Sequence, residues 1–488
     1  MSLRFAQPSS APTRGLFGAV VAISAGAAFL LVPALINGFP FVFPDSEDYL
    51  VFTPMPYRSP YYGLFIFFFH LNHFIWAPIL VQAVIASHLI WVLVRIFAGR
   101  ADFSYFFLSI LVLSLFSGLP IFVGYIMADF FTPVTLLVLY ILCFHWPDLT
   151  KIERGYFLLL ACVAIAAHLT HPPLALVVIA CIIVFQIARH VPLRLILIRT
   201  GVASIPIALA ILAILVNNIV IHRVFAIYAA GSTLLLANMI EYGPARSYLQ
   251  EACPAAGYKI CPAINDCLTN PHWGDWCEPS GSRWIANRFL WNSQAFRQLG
   301  GFAGMRDEAG SIVAATIEAR PWDVFDMAKR TAGSALVTHA PAGELEPLIT
   351  DEWMVDVLSK KFGPSTVRAY KESLQANGLI PRDFLRIVDN VTFPLALASM
   401  LTAGLLALRR GLWEAAGLVV LVFVFFVTNA VLCSFASGVF DRYQARVTWL
   451  FPLAALLTVC SLKRSRFAHE LSRLSFNATQ PSSNFRSK

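Results

Sequence analysis

The chain has 488 residues, 58% of them hydrophobic and only 13% charged, with a mean hydropathy of +0.68. Soluble domains carry about 25% charged residues, so the composition excludes an ordinary soluble protein and indicates a polytopic membrane protein. The net charge of +8 does not imply nucleic acid. It comes with no aromatic-basic RNA signature and no phosphate-cradling glycine loop, and in a membrane protein the placement of Lys and Arg matters more than their sum.

A helix needs about 20 apolar residues to cross the hydrocarbon core. The first apolar run, 16–37, follows Arg4 and Arg14 in a short tail of residues 1–15. It exceeds the roughly 7–15 residues of a signal-peptide h-region and reads as a retained first span. A loop over 38–73 follows. Further spans are expected at 74–96, 103–119, 126–146, 155–170, 173–188 and 198–221, which makes seven in a membrane domain of residues 16–221. Residues 222–390 are more polar and long enough for a domain of their own. The apolar spacing of Glu308–Ala319 and Trp353–Lys361 predicts a mainly helical one. Spans at 391–408, 412–434 and 444–462 form a second membrane segment, 391–462, before a basic tail, 463–488. The expected class is an all-α polytopic membrane protein with about ten transmembrane helices.

Basic residues follow this map. Arg4 and Arg14, Arg95 and Arg100, Lys151 and Arg154, Arg189, Arg194 and Arg199, Arg409 and Arg410, and Lys463, Arg464 and Arg466 all fall on one side. That alternation is the positive-inside pattern. It places both termini in the cytoplasm of a bacterial inner (plasma) membrane protein, with the 38–73 loop and the 222–390 segment outside. Four of the nine cysteines, Cys253, Cys261, Cys267 and Cys277, sit in that outer segment. An even cluster facing an oxidising compartment reads as two disulfides with three connectivities open. The rival is a zinc site, which the absence of a C-x-x-C pair disfavours. The remaining cysteines, Cys143 and Cys433 among them, lie in apolar spans and read as small hydrophobes.

Ionisable residues at membrane depth are costly, which makes them functional candidates. Several converge on the outer edge: Asp45, Glu47 and Asp48 in FPFVFPDSEDYL, Arg58 in PMPYRSPYYGLF, Asp129 in GYIMADFFTP, His168 and His171 in AHLTHPP, and Asp441, Arg442 and Arg446 in GVFDRYQARVTWLFP. Asp129 lies among apolar neighbours and needs a partner. Asp45 is framed by Phe43 and Pro44. Bland readings stand beside these. Glu47 and Asp48 suit a solvated helix start, and Arg442 and Arg446 suit lipid headgroups.

The arrangement resembles the GT-C superfamily of integral-membrane glycosyltransferases, in a bacterial branch of it. Four features carry the resemblance: the early acidic motif Pro44-Asp45-Ser46-Glu47-Asp48-Tyr49; the segment Tyr57-Arg58-Ser59-Pro60-Tyr61-Tyr62 leading to the second span; the second acid, Asp129; and Arg442-Tyr443 ahead of a late span containing Pro452. The resemblance implies transfer of a hexosyl or pentosyl group from a polyprenyl-phosphate-linked sugar to a glycan, lipid or protein acceptor on the extracytoplasmic face. It implies Asp45 as general base, provided burial raises its proton affinity, with Asp129 as the other catalytic residue, orienting the acceptor or sharing a metal with Asp45. Arg58, Arg442 and Tyr443 would meet the leaving phosphate, and Glu47, His168 and His171 the substrate. A divalent metal, Mg or Mn, held by Asp45 and Asp129, is the alternative to arginine for neutralising that phosphate. Three other readings share the composition: a polysaccharide polymerase or ligase acting on lipid-linked glycans, a multi-pass transporter or flippase, and a catalytically dead scaffold.

Overall fold

Each segment expected to cross the membrane folds as a helix in the computed structural model, which describes residues 12–264, 286, 288–343, 345–347 and 352–478. From the N-terminus, α1 (Pro12–Asn37) leads into two short helices, α2 (Pro44–Val51) and α3 (Pro60–His70), and then into α4 (Ala77–Ala98). Next come α5 (Phe103–Phe116), α6 (Leu119–Val123), a 3-10 turn at Ala128–Phe130 and α7 (Phe131–Phe144). The first membrane region closes with α8 (Lys151–Ala167), α9 (His171–Ala188) and α10 (Leu193–His222).

The intervening segment holds α11 (Gly231–Tyr242), α12 (Pro244–Ala252), α13 (Gln294–Gln298), α14 (Gly301–Ala319), α15 (Pro321–Leu336), α16 (Glu352–Phe362) and α17 (Pro364–Glu372). The chain returns with α18 (Arg382–Arg409), α19 (Trp413–Ala436), α20 (Asp441–Thr448) and α21 (Leu450–Ala478). No strand forms among the described residues. A single bridge joins Phe41 to Tyr125.

Seven helices are long and apolar enough to cross a membrane: α1, α4, α9, α10, α18, α19 and the α20–α21 pair. The protein is therefore an all-α multi-pass membrane protein. The other three expected spans are shorter helices: α5, α7 with its 3-10 turn, and α8. At about 1.5 Å per residue, Ala128–Phe144 covers about 26 Å, short of a hydrocarbon core of about 30 Å. It makes up the shortfall by being enclosed, with every residue from Phe131 to Phe144 buried. The α20–α21 span and α4 are the most enclosed of the long helices, at 83% and 72%, while α10 and α18, at 28% and 22%, turn most of their surface outward.

The region between the membrane segments divides between two cores. Leu236, Met239, Leu249, Phe296, Met305, Ile312 and Met327 form a core separate from the membrane helices. Met354, Val357, Leu358 and Tyr370, from α16 and α17, instead join the core of the membrane helices. Gln375, just past α17, ties down the loop before α2. Its amide accepts from Val42 N at 3.1 Å and donates to Val42 O at 2.6 Å, and its backbone N donates to Asn37 Oδ1 at 2.7 Å. Cys253 and Cys261 form a disulfide. Cys267 and Cys277 lie outside the described residues.

Candidate functional site

Three short helix starts and one 3-10 turn bring the ionisable residues together. Phe43 caps α2, and Pro44 occupies the first helical position, where its missing N–H costs nothing. Asp45 and Glu47 fall in the first turn, where the helix dipole favours acids. Ser46 locks this start: its Oγ accepts from Phe43 N at 3.0 Å and donates to Ile126 O at 2.8 Å. The acidic loop is thereby tied to the chain just before Asp129. Ser59 caps α3, accepting from Tyr61 N at 3.3 Å, and donates to Ala166 O on α8. Arg58, the preceding residue, is aimed back at α2.

Two guanidinium groups meet on Asp45. Arg58 pairs with Asp45 Oδ1, donates to the Asp45 backbone carbonyl at 2.8 Å and reaches Asp48 Oδ2 at 3.2 Å. Arg442 Nη1 lies 3.1 Å from Asp45 Oδ2, and its guanidinium sits over the Phe43 ring at 4.0 Å. The second acid has its own cation. Arg446 Nη1 lies 3.0 Å from Asp129 Oδ1, and its Nη2 reaches Asn429 Oδ1 at 3.0 Å and Cys433 Sγ at 3.2 Å. Arg442 and Arg446 are four residues apart on α20, the spacing that puts side chains on one helical face. One helix therefore grips both aspartates. The two pairs differ in burial. Arg446 and Asp129 are 0% and 3% exposed at the side chain, against 12% and 23% for Arg442 and Asp45.

Burial pushes the Asp45 carboxyl up, but Arg58 and Arg442 outweigh it and hold the group below the ordinary carboxylate value. The expectation that burial would raise the proton affinity of Asp45 therefore fails in this arrangement. Asp48 goes the other way: burial raises it and Arg58 only partly opposes. Tyr57 is pushed up to about 12 by burial and by Asp48, to which its hydroxyl hydrogen-bonds. It remains a neutral phenol.

The other expected residues sort by contact. Tyr443 flanks both arginines, with the Arg442 and Arg446 guanidiniums 5.1 and 5.3 Å from its ring centre, and its hydroxyl is 3.0 Å from Ser437 Oγ. Glu47 is buried in the wall rather than solvated. His168 is half-buried, in the field of Arg446, Arg442 and Arg58. His171 lies behind His168, their ring centres 5.2 Å apart. It is fully buried and bridges Thr132 Oγ1 at 2.8 Å and the Ala164 carbonyl.

Arg446, placed at the outer edge by the sequence with lipid headgroups as the bland alternative, is the partner Asp129 needs. Two participants escaped the sequence reading. Asn429 is a polar residue inside an apolar span, a signal that was available. Cys433, read as an inert hydrophobe, contacts Arg446 and Asn429.

Beside this cluster lies an apolar cavity of about 880 Å³ lined by residues of α3, α4, α8 and α10, including Phe65, Phe69, Val84, Leu160 and Leu209. Tyr61 and Ala166 line it too. They adjoin Arg58–Ser59 and His168, so the charged cluster sits at the cavity's rim.

The donor set does not fit a divalent cation. Both aspartates are committed to arginines, and among the described residues no three His, Cys, Asp or Glu side chains converge.

The chain matches no family model, no curated protein and no solved structure.

Proposed function

We propose that this protein transfers a sugar from a polyprenyl-phosphate donor to an acceptor at the Asp45 edge of the membrane, as the resemblance to GT-C glycosyltransferases implies. The observation that carries the reading is the convergence of Arg58 and Arg442 on Asp45 at the rim of a largely apolar cavity. A lipid-linked phosphate has those two needs: forked cations for the phosphate and an apolar channel for the isoprenoid chain. On this reading the cluster faces the extracytoplasmic side, in keeping with the alternation of Lys and Arg between spans.

The chemistry follows from the charges. An acceptor hydroxyl attacks the anomeric carbon, and a new C–O bond forms. The bond to the phosphate oxygen breaks, and its electron pair leaves with the phosphate. The hydroxyl proton passes to a base. Asp45 is a weak base while two guanidiniums bind it. A donor phosphate that draws Arg58 and Arg442 toward itself removes their pull and leaves burial as the main influence on the carboxyl. Asp45 then gains proton affinity when the donor is in place. The same arginines stabilise the departing phosphate.

The test is a mass profile of glycolipids and surface glycans from a strain lacking the protein, rescued with wild type or with Asp45→Asn at equal level. Wild type is expected to restore a missing sugar, and Asp45→Asn to leave it missing while a polyprenyl-phosphate sugar accumulates. Equal rescue by both forms would remove Asp45 from the reaction and the reading with it.

A further inference from the structure

A second cavity, with charged and polar side chains in its wall, lies at the other end of α9. It has a volume of about 390 Å³ and lies where α9, α10, α19 and α21 meet, among Gln186, Arg189, Arg199, Trp413, Glu414 and Ser461. It is distinct from the Asp45 cluster. From His171, next to Thr132 at that cluster, α9 runs 15 residues to Gln186, about 22 Å at 1.5 Å per residue.

Three features make this cavity more than a groove between helix ends. Gln186 lines it, is 1% exposed, and both its side-chain Nε2 and Oε1 lack a hydrogen-bond partner among the described residues. Burying an amide unpaired costs on the order of 1–3 kcal/mol, so a donor and an acceptor wait for a ligand. Two cations flank it. The Arg189 guanidinium is stacked at 3.9 Å on Trp413, and neither Arg189 nor Arg199 forms an ion pair among the described residues. Finally, an acid, Glu414, stands in the same wall.

We propose that this cavity binds a phospholipid headgroup that carries a hydrogen-bond donor beside its phosphate, such as phosphatidylglycerol or phosphatidylethanolamine. The phosphate takes Arg189, Arg199 and the Gln186 Nε2 donor. The glycerol hydroxyl or ammonium takes Gln186 Oε1 and Glu414. The acyl chains have a surface to follow, because Val184 and Ile187 on α9 are 66% and 56% exposed. Basic pockets between membrane helices are established headgroup sites. The buried amide and the acid add a preference for a headgroup with its own donor.

The full-length protein, delipidated in detergent, tests this by native mass spectrometry with short-chain phosphatidylglycerol, phosphatidylethanolamine or phosphatidylcholine, and with inorganic phosphate alone. Wild type should retain one phosphatidylglycerol or phosphatidylethanolamine at least about tenfold more tightly than phosphatidylcholine, the span one good charge-assisted contact confers. Inorganic phosphate should compete only weakly. Arg189→Gln with Arg199→Gln should abolish the retention, and Gln186→Leu should erase the preference over phosphatidylcholine. Equal retention by wild type and the double variant overturns the proposal. So does phosphate binding without lipid binding, which would make the site one for a soluble anion. Were Gln186→Leu to misfold, the Arg189 and Arg199 double variant would still decide the matter. A Gln186→Leu form that is more heat-stable yet keeps the full lipid preference would reduce the amide to an unpaired core group, and the headgroup assignment would fail.

Discussion

The two aspartate–arginine sites use the same groups and differ in what surrounds them. Asp129 and Arg446 are closed off from solvent, with Asn429 and Cys433 completing the shell. Asp45 is shared between two arginines at a rim that keeps partial access. A charge pair with no access has nothing to exchange with in this arrangement, and the first site holds α20 against the turn before α7. The second can trade a carboxylate for a phosphate. Burial, more than residue type, separates a brace from a candidate site here.

The sharpest way to break that comparison is to unpair the buried site. Arg446→Leu leaves Asp129 without its cation in a closed interior, a defect that costs about 3–5 kcal/mol. Folded yield and thermal unfolding in detergent should both collapse. Replacing the pair together, Asp129→Leu with Arg446→Met, should recover most of the loss, because well-packed apolar residues often match a buried ion pair. If Arg446→Leu folds normally and only function falls, Asp129 belongs with the reactive residues and is no brace.

Much of the fold was legible because length and apolarity are local properties. The ten apolar runs all became helices, and the apolar spacing at Glu308–Ala319 and Trp353–Lys361 became α14 and α16. Partner choice was not legible. Nothing in the order of residues says that Arg446, rather than Arg442, reaches Asp129. The two share a face of α20, so the choice follows from which turn of that helix lies level with Asp129 once the chain has packed. Nor could sequence tell that α16 and α17 leave the 222–390 segment to join the membrane core, since their apolar faces look like any others. The proton affinity of Asp45 went the other way from expectation for the same reason: burial can be guessed from Phe43 and Pro44, but the two opposing arginines come from residues 13 and 397 positions away.

A milder change sharpens the rim site. Arg58→Gln and Arg442→Gln each leave Asp45 one remaining cation and partial solvent, so stability should shift by about 1 kcal/mol or less, as for partly exposed ion pairs. Transfer should nonetheless fall on the order of 100-fold, the usual loss on removing one preorganised charge from a developing anion. Either substitution also weakens the pull on Asp45. A carboxyl held below its ordinary value keeps its stabilising pairing above that value and loses it as pH falls, so the variants should lose that contribution at higher pH than wild type. Thermal unfolding followed across pH 3 to 6, with the activity measured in parallel, separates the two effects.

His70 gives a second pH dependence of the same sign, at higher pH. Its ring is buried, its Nδ1 accepts from Asn72 N at 2.9 Å, and its Nε2 has no hydrogen-bond partner among the described residues. Burial and Lys361 lower it to about 4. The unfolded chain, with histidine near pKa 6.5, takes up a proton first as pH falls. Stability is then full above about 6.5 and drains away down to about 4, by on the order of 2 kcal/mol. His70→Asn, which keeps an acceptor for Asn72 and removes the titration, should flatten the curve over that interval. An unchanged slope would place the acid-sensitive group elsewhere.

The smallest expected effect probes how α2 and α3 hold the rim together. Gly63 on α3 faces α2 so closely that an added Cβ would lie 3.0 Å from both the Tyr49 carbonyl and the Phe52 ring. Alanine favours a helix over glycine by about 1 kcal/mol, while overpacking costs about 1–3 kcal/mol. The ring can swing aside, but the carbonyl belongs to the helix that carries Asp45 and cannot move alone. Gly63→Ala should therefore be net destabilising by about 1 kcal/mol and should shift α2 against Arg58, so that transfer falls more than unfolding temperature predicts. A variant more stable than wild type and fully active would mean that α2 slides freely past α3, and that the Asp45–Arg58 pair is held by the ion pair alone.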